Sequence, residues 1–514
     1  MSLLTPATLS LAASGACVAY LLSRVIHSAQ NSLPPGPRRW PLIGSALAFP
    51  STHPWLTFGK WAKTYGKIIY LDIMGQPLVV VNSAKAAREL LDQRSAIYSD
   101  RPTSVSDLYC SSGFAQALPM KPYGDVWRQQ RKLVAQDFSQ SAITRYHSVQ
   151  ETEARKLVRS VLEDPSTLFD QLKLRVGTII IRVTYGYYLT GQQDPFLTAP
   201  IEVMVNFAKA TAPGTWIVDY VPVLRYLPRW TPGAGFLRTA EKWSKMLWDV
   251  SWDPYLWSKK NLETGQAFLP NMCATVFEAA DGKLSAEEEH HLVWATSAVL
   301  GGGLDTNTST ALVFFLAMML NPAVQAKARQ EIDDVIGQDR LPTITDKASL
   351  PYLRSIMTEV LRWNPVGPMG LPHALRQDDI YEGMHLPKGS LILPNIWYML
   401  HDPEIYPNPD QFNPDRYNNL DSEMEKVPEV VFGFGRRVCP GRYFAEGTFF
   451  AIVATVLATC EILPPVDSEG NKVIPDVKFS SGTIIFPSAF EINLKCRTPK
   501  AFELLSRDPT DDPN

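Results

Sequence analysis

The spacing of apolar and polar residues predicts a small sheet near the start of the chain. Residues 67–73 and 76–81 are two apolar runs rich in Ile, Val and Leu, and they predict a pair of strands joined by a turn at Gly75. Residues 83–94 follow with a helical pattern, and Ser83 is the candidate N-cap. The first structured part of the chain is therefore expected to be a hairpin followed by a helix.

Helical periodicity dominates the middle of the chain, from residue 127 to residue 362. Short β-rich pieces return near residues 379–393 and 473–492. Residues 498–514 are polar and carry prolines, which predicts a disordered tail. Because no repeat or low-complexity linker interrupts residues 41–497, they predict one large, mainly α domain with a small β region.

The N-terminal segment predicts a membrane anchor over residues 1–26. No charged side chain precedes Arg24, and residues 3–22 have about the ~20-residue length that a membrane helix needs. A cleaved signal peptide is the competing interpretation, but it requires a basic residue ahead of the apolar core. Arg24, Arg38 and Arg39 follow the run instead, which places the rest of the chain in the cytosol.

Residues 27–40 form a proline-rich connection between the anchor and the large domain. Pro34, Pro35 and Pro37 each fix the backbone and lack an N–H donor, so this stretch predicts a stiff, extended hinge.

The composition of the 514-residue chain excludes some classes of protein. It is 45% hydrophobic and 20% charged, as in ordinary globular proteins. A formal net charge of −3 gives no reason to expect nucleic-acid binding. Six cysteines in so long a chain do not suggest a disulfide scaffold, and a reducing compartment fits.

Cys439 is the strongest candidate for chemistry. It lies in a glycine-rich loop, residues 432–441, with arginines before it and a helical run after it. Backbone N–H groups of such a loop and the positive end of the next helix are expected to lower the pKa of the thiol and favour metal binding. The other cysteines show no ligand spacing: the sequence has no CxxC, no HExxH and no Cys/His zinc pattern.

The pattern Phe-x-x-Gly-x-Arg-x-Cys-x-Gly, which starts at Phe432 and contains Cys439, resembles the haem-binding loop of the cytochromes P450. The resemblance implies that Cys439 is the axial ligand of a haem b iron. It also implies that Arg437 pairs with a haem propionate and that Phe432 shields the sulfur. Gly433 and Gly441 would let the backbone approach the cofactor. The implied fold is a triangular prism of helices around haem.

Two further motifs resemble the family's buried charge network. Glu359 and Arg362 are three residues apart on a predicted helix and share one face. In isolation, such a pair usually lies on the protein surface and contributes little to stability. Residues 412–417, which contain Arg416, resemble the family's PERF-like motif. The implied triad of Glu359, Arg362 and Arg416 would lock the core behind the haem loop.

Gly301, Gly302 and Gly303 interrupt a long apolar helical pattern, and each costs about 0.5–1 kcal/mol in a helix interior. Close helix packing is one explanation. A locally opened turn beside a flat ligand is the other, and the adjacent acid and alcohol favour it. The segment resembles the family's distal-helix motif, which implies that Thr306 hydrogen-bonds bound dioxygen and that Asp305 helps to relay protons.

Three residues are expected to contact the haem propionates. Trp127 and Arg131 resemble the family's WxxxR motif and share a helical face. In isolation, an aromatic anchor with a solvated arginine is the better explanation. His373 is a further candidate, although a satisfied core histidine remains the alternative.

The electrons must come from another protein. The sequence has no strand–GxGxxG–helix unit that would bind a nicotinamide or flavin cofactor. The resemblance implies that NADPH-cytochrome P450 reductase supplies the electrons, with cytochrome b5 as a further partner. Arg128, Lys132 and Arg436 are expected near the thiolate face, where they would attract an acidic redox partner. Scattered solvated charges are the alternative. The implied location is the endoplasmic reticulum membrane, with a single-pass anchor and a cytosolic catalytic domain.

The resemblance implies a haem-thiolate monooxygenase that hydroxylates or epoxidises a hydrophobic small molecule with O2. Similarity to fungal P450s of secondary metabolism suggests a terpenoid, polyketide or alkaloid. A haem-thiolate isomerase, dehydratase or peroxygenase is the first alternative, and a non-enzymatic haem-binding protein is the second. The expected pocket lining is residues 103–114, 299–302, 366–371 and 482–485.

Overall fold

A computed structural model describes residues 32–507, apart from 103–112, 212–215, 217, 219–223, 225 and 229. The fold is mainly helical, as the sequence predicts. The helices are α1 (Pro54–Tyr65), α2 (Ala84–Ala87), α3 (Ser95–Tyr98), α4 (Asp125–Phe138), α5 (His147–Glu163), α6 (Leu168–Tyr185), α7 (Pro195–Ala210), α8 (Gly235–Glu263), α9 (Met272–Ala279), α10 (Ala286–Leu320), α11 (Pro322–Val335), α12 (Pro351–Trp363), α13 (Ile396–His401), α14 (Asp421–Met424), α15 (Pro428–Val431), α16 (Arg442–Thr459) and α17 (Pro499–Ser506). The strands are β1 (Ile68–Ile73), β2 (Gln76–Val81), β3 (His373–Ala374), β4 (Asp379–Tyr381), β5 (Met384–Leu386), β6 (Leu391–Pro394), β7 (Cys460–Leu463) and β8 (Asn493–Cys496).

The predicted hairpin forms and belongs to a four-stranded sheet in the order β1-β2-β6-β3. β1 and β2 are antiparallel, whereas β2 and β6 run parallel. Successive side chains of a strand point to opposite faces, so Ile69 packs against Phe58 while Ile68 packs into a second apolar cluster. Burial of both faces explains why these strands are continuous apolar runs.

The helix predicted at residues 83–94 begins where expected, because the Ser83 hydroxyl accepts a hydrogen bond from the Ala86 N–H at 3.4 Å. It remains α-helical for one turn only. Residues Arg88–Gln93 continue as a π-helix, a local geometry that the apolar pattern does not specify.

Helix α10 is the central element of the domain. Ser285 and Glu288 form a capping box at its start, and the helix continues for 35 residues. Its side chains are buried around most of its circumference, against α4, α6, α8, α12 and α16. Among the described residues, α10 is the one helix that is long and apolar enough to cross a membrane. Its burial inside the domain identifies it as a core helix. The predicted anchor at residues 1–26 lies outside the described residues.

Two sequence-based expectations at the C-terminal end are wrong. Within the tail predicted to be disordered, residues 498–514, Pro499–Ser506 form α17, because Thr498 caps the helix and Leu504 and Leu505 are buried; residues 508–514 lie outside the described residues. The strand expected within residues 473–492 lies later, at β8, which pairs with β7. Residues 473–492 contribute only the isolated bridge between Phe479 and Pro487 within the described chain. Pro475 and Pro487 lack the N–H that a ladder requires.

Candidate active site

The Cys439 loop connects α15 to α16 and is closed by its own backbone. The Cys439 N–H donates to the Phe432 carbonyl oxygen at 2.7 Å, which folds the intervening residues into a tight turn. Gly433 and Gly435 have φ angles of +80° and +55°, a conformation that favours glycine. At Gly435 a Cβ would also collide with the Leu91 carbonyl oxygen. The shape of the loop therefore requires glycine at positions 433 and 435, whereas Gly441 has an ordinary φ of −90°.

The exposed surface of Cys439 faces the cavity, and the thiol otherwise lies inside the protein. Burial raises the pKa of the Cys439 thiol, while the Gly441 N–H and the Arg131 guanidinium act in the opposite direction. The expectation of a lowered thiol pKa is therefore wrong for the protein alone, because loss of hydration outweighs the loop dipoles. A bound metal ion would reverse this balance by taking the sulfur as thiolate.

Basic side chains converge beside the loop at Arg437. Its Nε donates to the Ser99 carbonyl at 2.8 Å and its Nη2 to the Lys121 carbonyl at 2.8 Å, while Nη1 is buried without a hydrogen-bond partner among the described residues. Its guanidinium carbon lies 4.6 Å from the centre of the Trp127 ring. Burial and the neighbouring Arg101 lower the pKa of Arg437 to about 9. The Asp100 carboxylate acts in the opposite direction but is outweighed, so the cluster keeps an excess of positive charge.

Arg131 and His373 complete this cluster. Arg131 Nη2 donates to the Val438 carbonyl at 2.6 Å, which ties α4 to the cysteine loop. His373 Nδ1 lies 2.8 Å from the Tyr98 carbonyl oxygen and therefore carries the proton. Burial, together with Arg101, lowers the pKa of His373 to about 3, so the ring is neutral. These contacts exclude the interpretation of Arg131 as a solvated surface residue.

Sequence reasoning missed Arg101. It is 5% exposed, and its Nη1 donates to the Leu371 and Pro372 carbonyls at 2.9 and 2.7 Å, directly before His373. No local motif surrounds this arginine in the sequence. Its position depends on a chain segment 270 residues away, so only the fold reveals it.

Helix α10 forms the opposite wall of the cavity. Thr306 lines the cavity, and its hydroxyl donates to the Gly302 carbonyl at 2.8 Å. Asp305 is not among the residues that line the cavity. Burial raises the pKa of its carboxyl to about 6, although the positive charge of Lys173 in α6 acts to lower it. Asn307 lines the cavity and donates to the Gly303 carbonyl at 2.8 Å. The acid and the alcohol therefore lie on different sides of the helix wall.

The expected opening of the helix at the three glycines is not present. Helix α10 is unbroken from Ala286 to Leu320. A Cβ at Gly303 would lie 2.8 Å from Ile180 Cδ1, so close packing against α6 explains this glycine. A Cβ at Gly302 would meet nothing within 4 Å because that side faces the cavity.

The cavity has a volume of about 450 Å³ and extends from Cys439 to Thr306. Its walls contain members of each of the four predicted lining segments, although residues 103–112 lie outside the described chain. All predicted cofactor-contacting residues line it: Trp127, Arg131, His373, Phe432, Gly433, Arg437, Cys439 and Gly441. One continuous space thus connects the thiol, the basic cluster and the Thr306 hydroxyl.

The predicted charge triad forms behind the loop. Glu359 and Arg362 are each 0% exposed, and two N–H groups of Arg362 donate to the two Glu359 oxygens at 2.8 and 2.9 Å. Arg416 Nε lies 3.1 Å from both oxygens. Tyr417 was not predicted, yet its hydroxyl donates to Glu359 Oε2 at 2.8 Å. Both carboxylate oxygens of Glu359 are therefore satisfied.

Comparison with known proteins agrees with this geometry. Residues 34–484 match the family model "Cytochrome P450". The chain belongs to the cytochrome P450 family. A cytochrome P450 monooxygenase 105 of Postia placenta is 53% identical over 500 residues, which cover 97% of this chain and 95% of the relative. The cytochrome P450 monooxygenase claR of Ampulloclitocybe clavipes is 38% identical over 502 residues, or 97% and 92% of the two chains.

The fold is also that of a solved P450. A zebrafish cytochrome P450 with abiraterone superposes with a TM-score of 0.67 and covers 87% of this chain and 100% of its own, at 22% identity. The chain is a cytochrome P450 monooxygenase, a class of oxidoreductase that uses haem iron and electrons supplied by a reductase. Its residues fit such a group: a thiol faces the cavity, and the unpartnered Arg437 Nη1 lies in a basic cluster suited to propionates.

Proposed function

We propose that this P450 uses O2 and NADPH-derived electrons to hydroxylate or epoxidise a hydrophobic small molecule of secondary metabolism, such as a terpenoid, polyketide or alkaloid. One observation carries the proposal: a largely apolar cavity joins the Cys439 sulfur to the Thr306 hydroxyl. The monooxygenase relatives exclude the non-enzymatic alternative. A haem-thiolate isomerase, dehydratase or peroxygenase is the second candidate, and the retained Asp305–Thr306 pair argues against it.

We propose that Cys439 binds the iron of haem b and that the basic cluster neutralises the propionates. Arg437 offers its free N–H, and Trp127, Arg131 and His373 surround the same part of the cavity. Phe432 shields the sulfur, while Gly433 and Gly441 let the backbone approach. When bound, thiolate-ligated haem supplies the reductive activation of O2.

Replacing Thr306 with Ala tests the proposed function. The hydroxyl of Thr306 can exchange its bond to the Gly302 carbonyl, at 2.8 Å, for a bond to an oxygen ligand in the cavity. Without that hydroxyl, the cavity would lose a positioned proton donor. We expect the ratio of hydrogen peroxide to oxidised product to rise about tenfold or more, since positioned proton donors contribute typically about 10²–10⁴-fold.

The matched control is Thr306→Ser, which keeps the hydroxyl and should retain most of the coupling. Product and peroxide are quantified per NADPH consumed. An unchanged ratio in Thr306→Ala would contradict a role of this hydroxyl in oxygen activation.

We propose that the Asp305 carboxyl, on the side of α10 near Lys173, is the proton source for the Thr306 hydroxyl. Burial raises the pKa of its carboxyl to about 6, so the carboxyl carries its proton below about pH 6 and loses it above. We therefore expect coupled product formation to decline as the pH rises through about 6. In Asp305→Asn, which cannot exchange a proton, coupling should be low and lack this transition. A transition near pH 6 that persists in the variant would assign it to another group.

The electrons are proposed to arrive from NADPH-cytochrome P450 reductase, with cytochrome b5 as a further partner. Arg128 and Lys132 are exposed residues of helix α4, and Arg131 of the same helix bonds the cysteine loop, which supports a basic face near the thiol. Arg436 Nη1 donates to the Tyr123 hydroxyl at 2.7 Å, and the Arg128 guanidinium lies 5.5 Å from the centre of the same ring. The two arginines therefore share one exposed face on the thiolate side, which supports an electrostatic docking surface.

Reversing the charge at Arg436 tests this docking face. Arg436→Glu should raise the reductase concentration needed for half-maximal activity several-fold at low salt and leave the rate at saturating reductase nearly unchanged, because rim charges act mainly on association. Lys63→Glu, an exposed reversal on α1, is the control. Equal effects of the two variants on the required reductase concentration would contradict the proposed docking surface.

We also propose that residues 1–26 anchor the enzyme in the endoplasmic reticulum membrane, with the catalytic domain in the cytosol. The support is the uncharged run that precedes Arg24 and the basic residues that follow it.

A further inference from the structure

The cavity passes around helix α10. Ser297 and Thr306 both line it, yet they are nine residues apart in the sequence. At 3.6 residues per turn, this separation is about two and a half turns, so the two side chains leave the helix on opposite sides. The glycine run lies between them and provides the passage. A Cβ at Gly301 would have only Met204 Sδ nearby, at 3.5 Å, and one at Gly302 would meet nothing within 4 Å.

The part of the cavity beyond the glycines, which we call the side lobe, lies between α7, α8 and α10. Its walls are formed by Pro200, Val203, Met204, Leu247, Val250 and Ser297. Ser297 is the polar side chain of this group. A ligand that enters the side lobe therefore meets apolar walls and a single hydroxyl group.

The hydrogen bonds of Ser297 fix what its hydroxyl can offer. Ser251, which is 0% exposed, lies 2.8 Å from the Ser297 hydroxyl oxygen. The Ser251 hydroxyl donates its one proton to the Leu247 carbonyl at 2.7 Å. With the Ser251 proton on the Leu247 carbonyl, the Ser297 hydroxyl is the donor in the serine pair, because each hydroxyl has a single proton. The Ser297 oxygen is left with lone pairs only and can accept but not donate.

We propose that Ser297 is a specificity-determining residue that selects apolar substrates bearing a neutral hydroxyl group at the end remote from the oxidised carbon. The inference rests on the proposed monooxygenase function. A ketone or carboxylate would place an acceptor against an acceptor. A cationic substrate is disfavoured because it would need an acidic partner. Among the described lining residues the acidic side chain is Glu446, and it already forms ion pairs with Lys347 and Arg442.

The substrate length follows from the helix. Ser297 and Thr306 are about 13 Å apart along the axis of α10, from the ~1.5 Å rise per residue. An extended or multi-ring molecule is needed to span this distance. The reaction that supplies the substrate must therefore leave or install an alcohol on a hydrocarbon skeleton.

The test compares two probes, dodecanol and its methyl ether, with the full-length haem-loaded enzyme. The probes share a chain, but the ether cannot donate a hydrogen bond. Equilibrium dialysis measures binding without turnover. We expect dodecanol to bind up to about tenfold more tightly than the ether, the range of one net hydrogen bond. Ser297→Ala should bind both equally.

Ser251→Ala provides a second, independent variant. Removing the Ser251 hydroxyl frees the Ser297 proton for a ligand, so the preference for dodecanol should shrink because the ether oxygen can now accept. Thr308→Val is the matched control: Thr308 is buried on the same helix, and its hydroxyl bonds only the Leu304 carbonyl among the described contacts. The control should keep the wild-type preference.

Product analysis separates this inference from the proposed function. With the hydroxyl held at Ser297, dodecanol should be oxidised towards its methyl end, and Ser297→Ala should add oxidation at the alcohol carbon. Equal binding of the two probes by the wild-type enzyme overturns the role of Ser297 while monooxygenation of either probe upholds the proposed function. If the wild-type enzyme binds dodecanol selectively but the reconstituted enzyme oxidises neither probe, the role of Ser297 is upheld and the proposed function is contradicted.

Discussion

Replacing Glu359 with Gln is expected to lower the free energy of unfolding by about 3–5 kcal/mol, because the change leaves buried positive charge without its counterion. Glu359 receives two hydrogen bonds from Arg362, and its oxygens also bind Arg416 Nε and the Tyr417 hydroxyl. An amide cannot accept this many bonds and places N–H donors against guanidinium groups.

The network also fixes the segment that precedes the cysteine loop. The Asn413 N–H donates to Glu359 Oε1 at 2.9 Å, and Arg362 Nη1 donates to the Leu400 carbonyl at 3.0 Å. Loss of Glu359 therefore releases chain on two sides of α12. We expect the variant to lose haem at lower urea concentrations than the wild type, as followed by Soret absorbance.

A graded series keeps this prediction testable if Glu359→Gln does not fold. Tyr417→Phe removes a single hydrogen bond to a charged group and should cost about 1.5–3 kcal/mol. Asp415→Asn breaks an exposed ion pair with Lys327 beside the network and should cost less than about 1 kcal/mol. Equal unfolding midpoints for Tyr417→Phe and Asp415→Asn would contradict the assigned role of the buried network.

Replacing Cys439 with Ala is expected to reduce monooxygenase activity to background, because no other thiol lines the cavity among the described residues. Activity is measured as product formed with saturating reductase. The loop should keep its shape, since the Cys439 N–H, rather than the sulfur, bonds the Phe432 carbonyl. The loss would then reflect the missing ligand and not an unfolded protein.

Cys496→Ser is the matched control for loss of a thiol. Cys496 lies in β8, and its sulfur bonds the Thr498 carbonyl instead of facing the cavity. This variant should retain wild-type activity. Full activity in Cys439→Ala would contradict the assignment of the axial ligand.

Local signals in the sequence predicted the elements that depend on neighbouring residues. The strands around Gly75, the Ser83 cap and the Glu359–Arg362 pair each follow from side-chain spacing over a few positions. The Cys439 loop belongs to this group, because the backbone of the loop itself requires Gly433 and Gly435.

Features that depend on distant contacts were missed or misjudged. Arg101 is positioned by carbonyls near His373, and the raised pKa of the Cys439 thiol results from burial by the whole domain. Asp305 neighbours Thr306 in sequence, but consecutive helix positions point about 100° apart, so only Thr306 lines the cavity. Helix α17 forms because Leu504 and Leu505 find a core to cover, which composition alone does not reveal.

The measurement that tests the central claim most directly is the absorbance spectrum of the reduced, carbon monoxide-bound protein. If the Cys439 thiolate is the ligand of the haem iron, the wild-type protein gives the red-shifted Soret band of a thiolate ligand and Cys439→Ala does not. A wild-type spectrum without the red shift, or an unchanged red-shifted band in Cys439→Ala, would contradict the account.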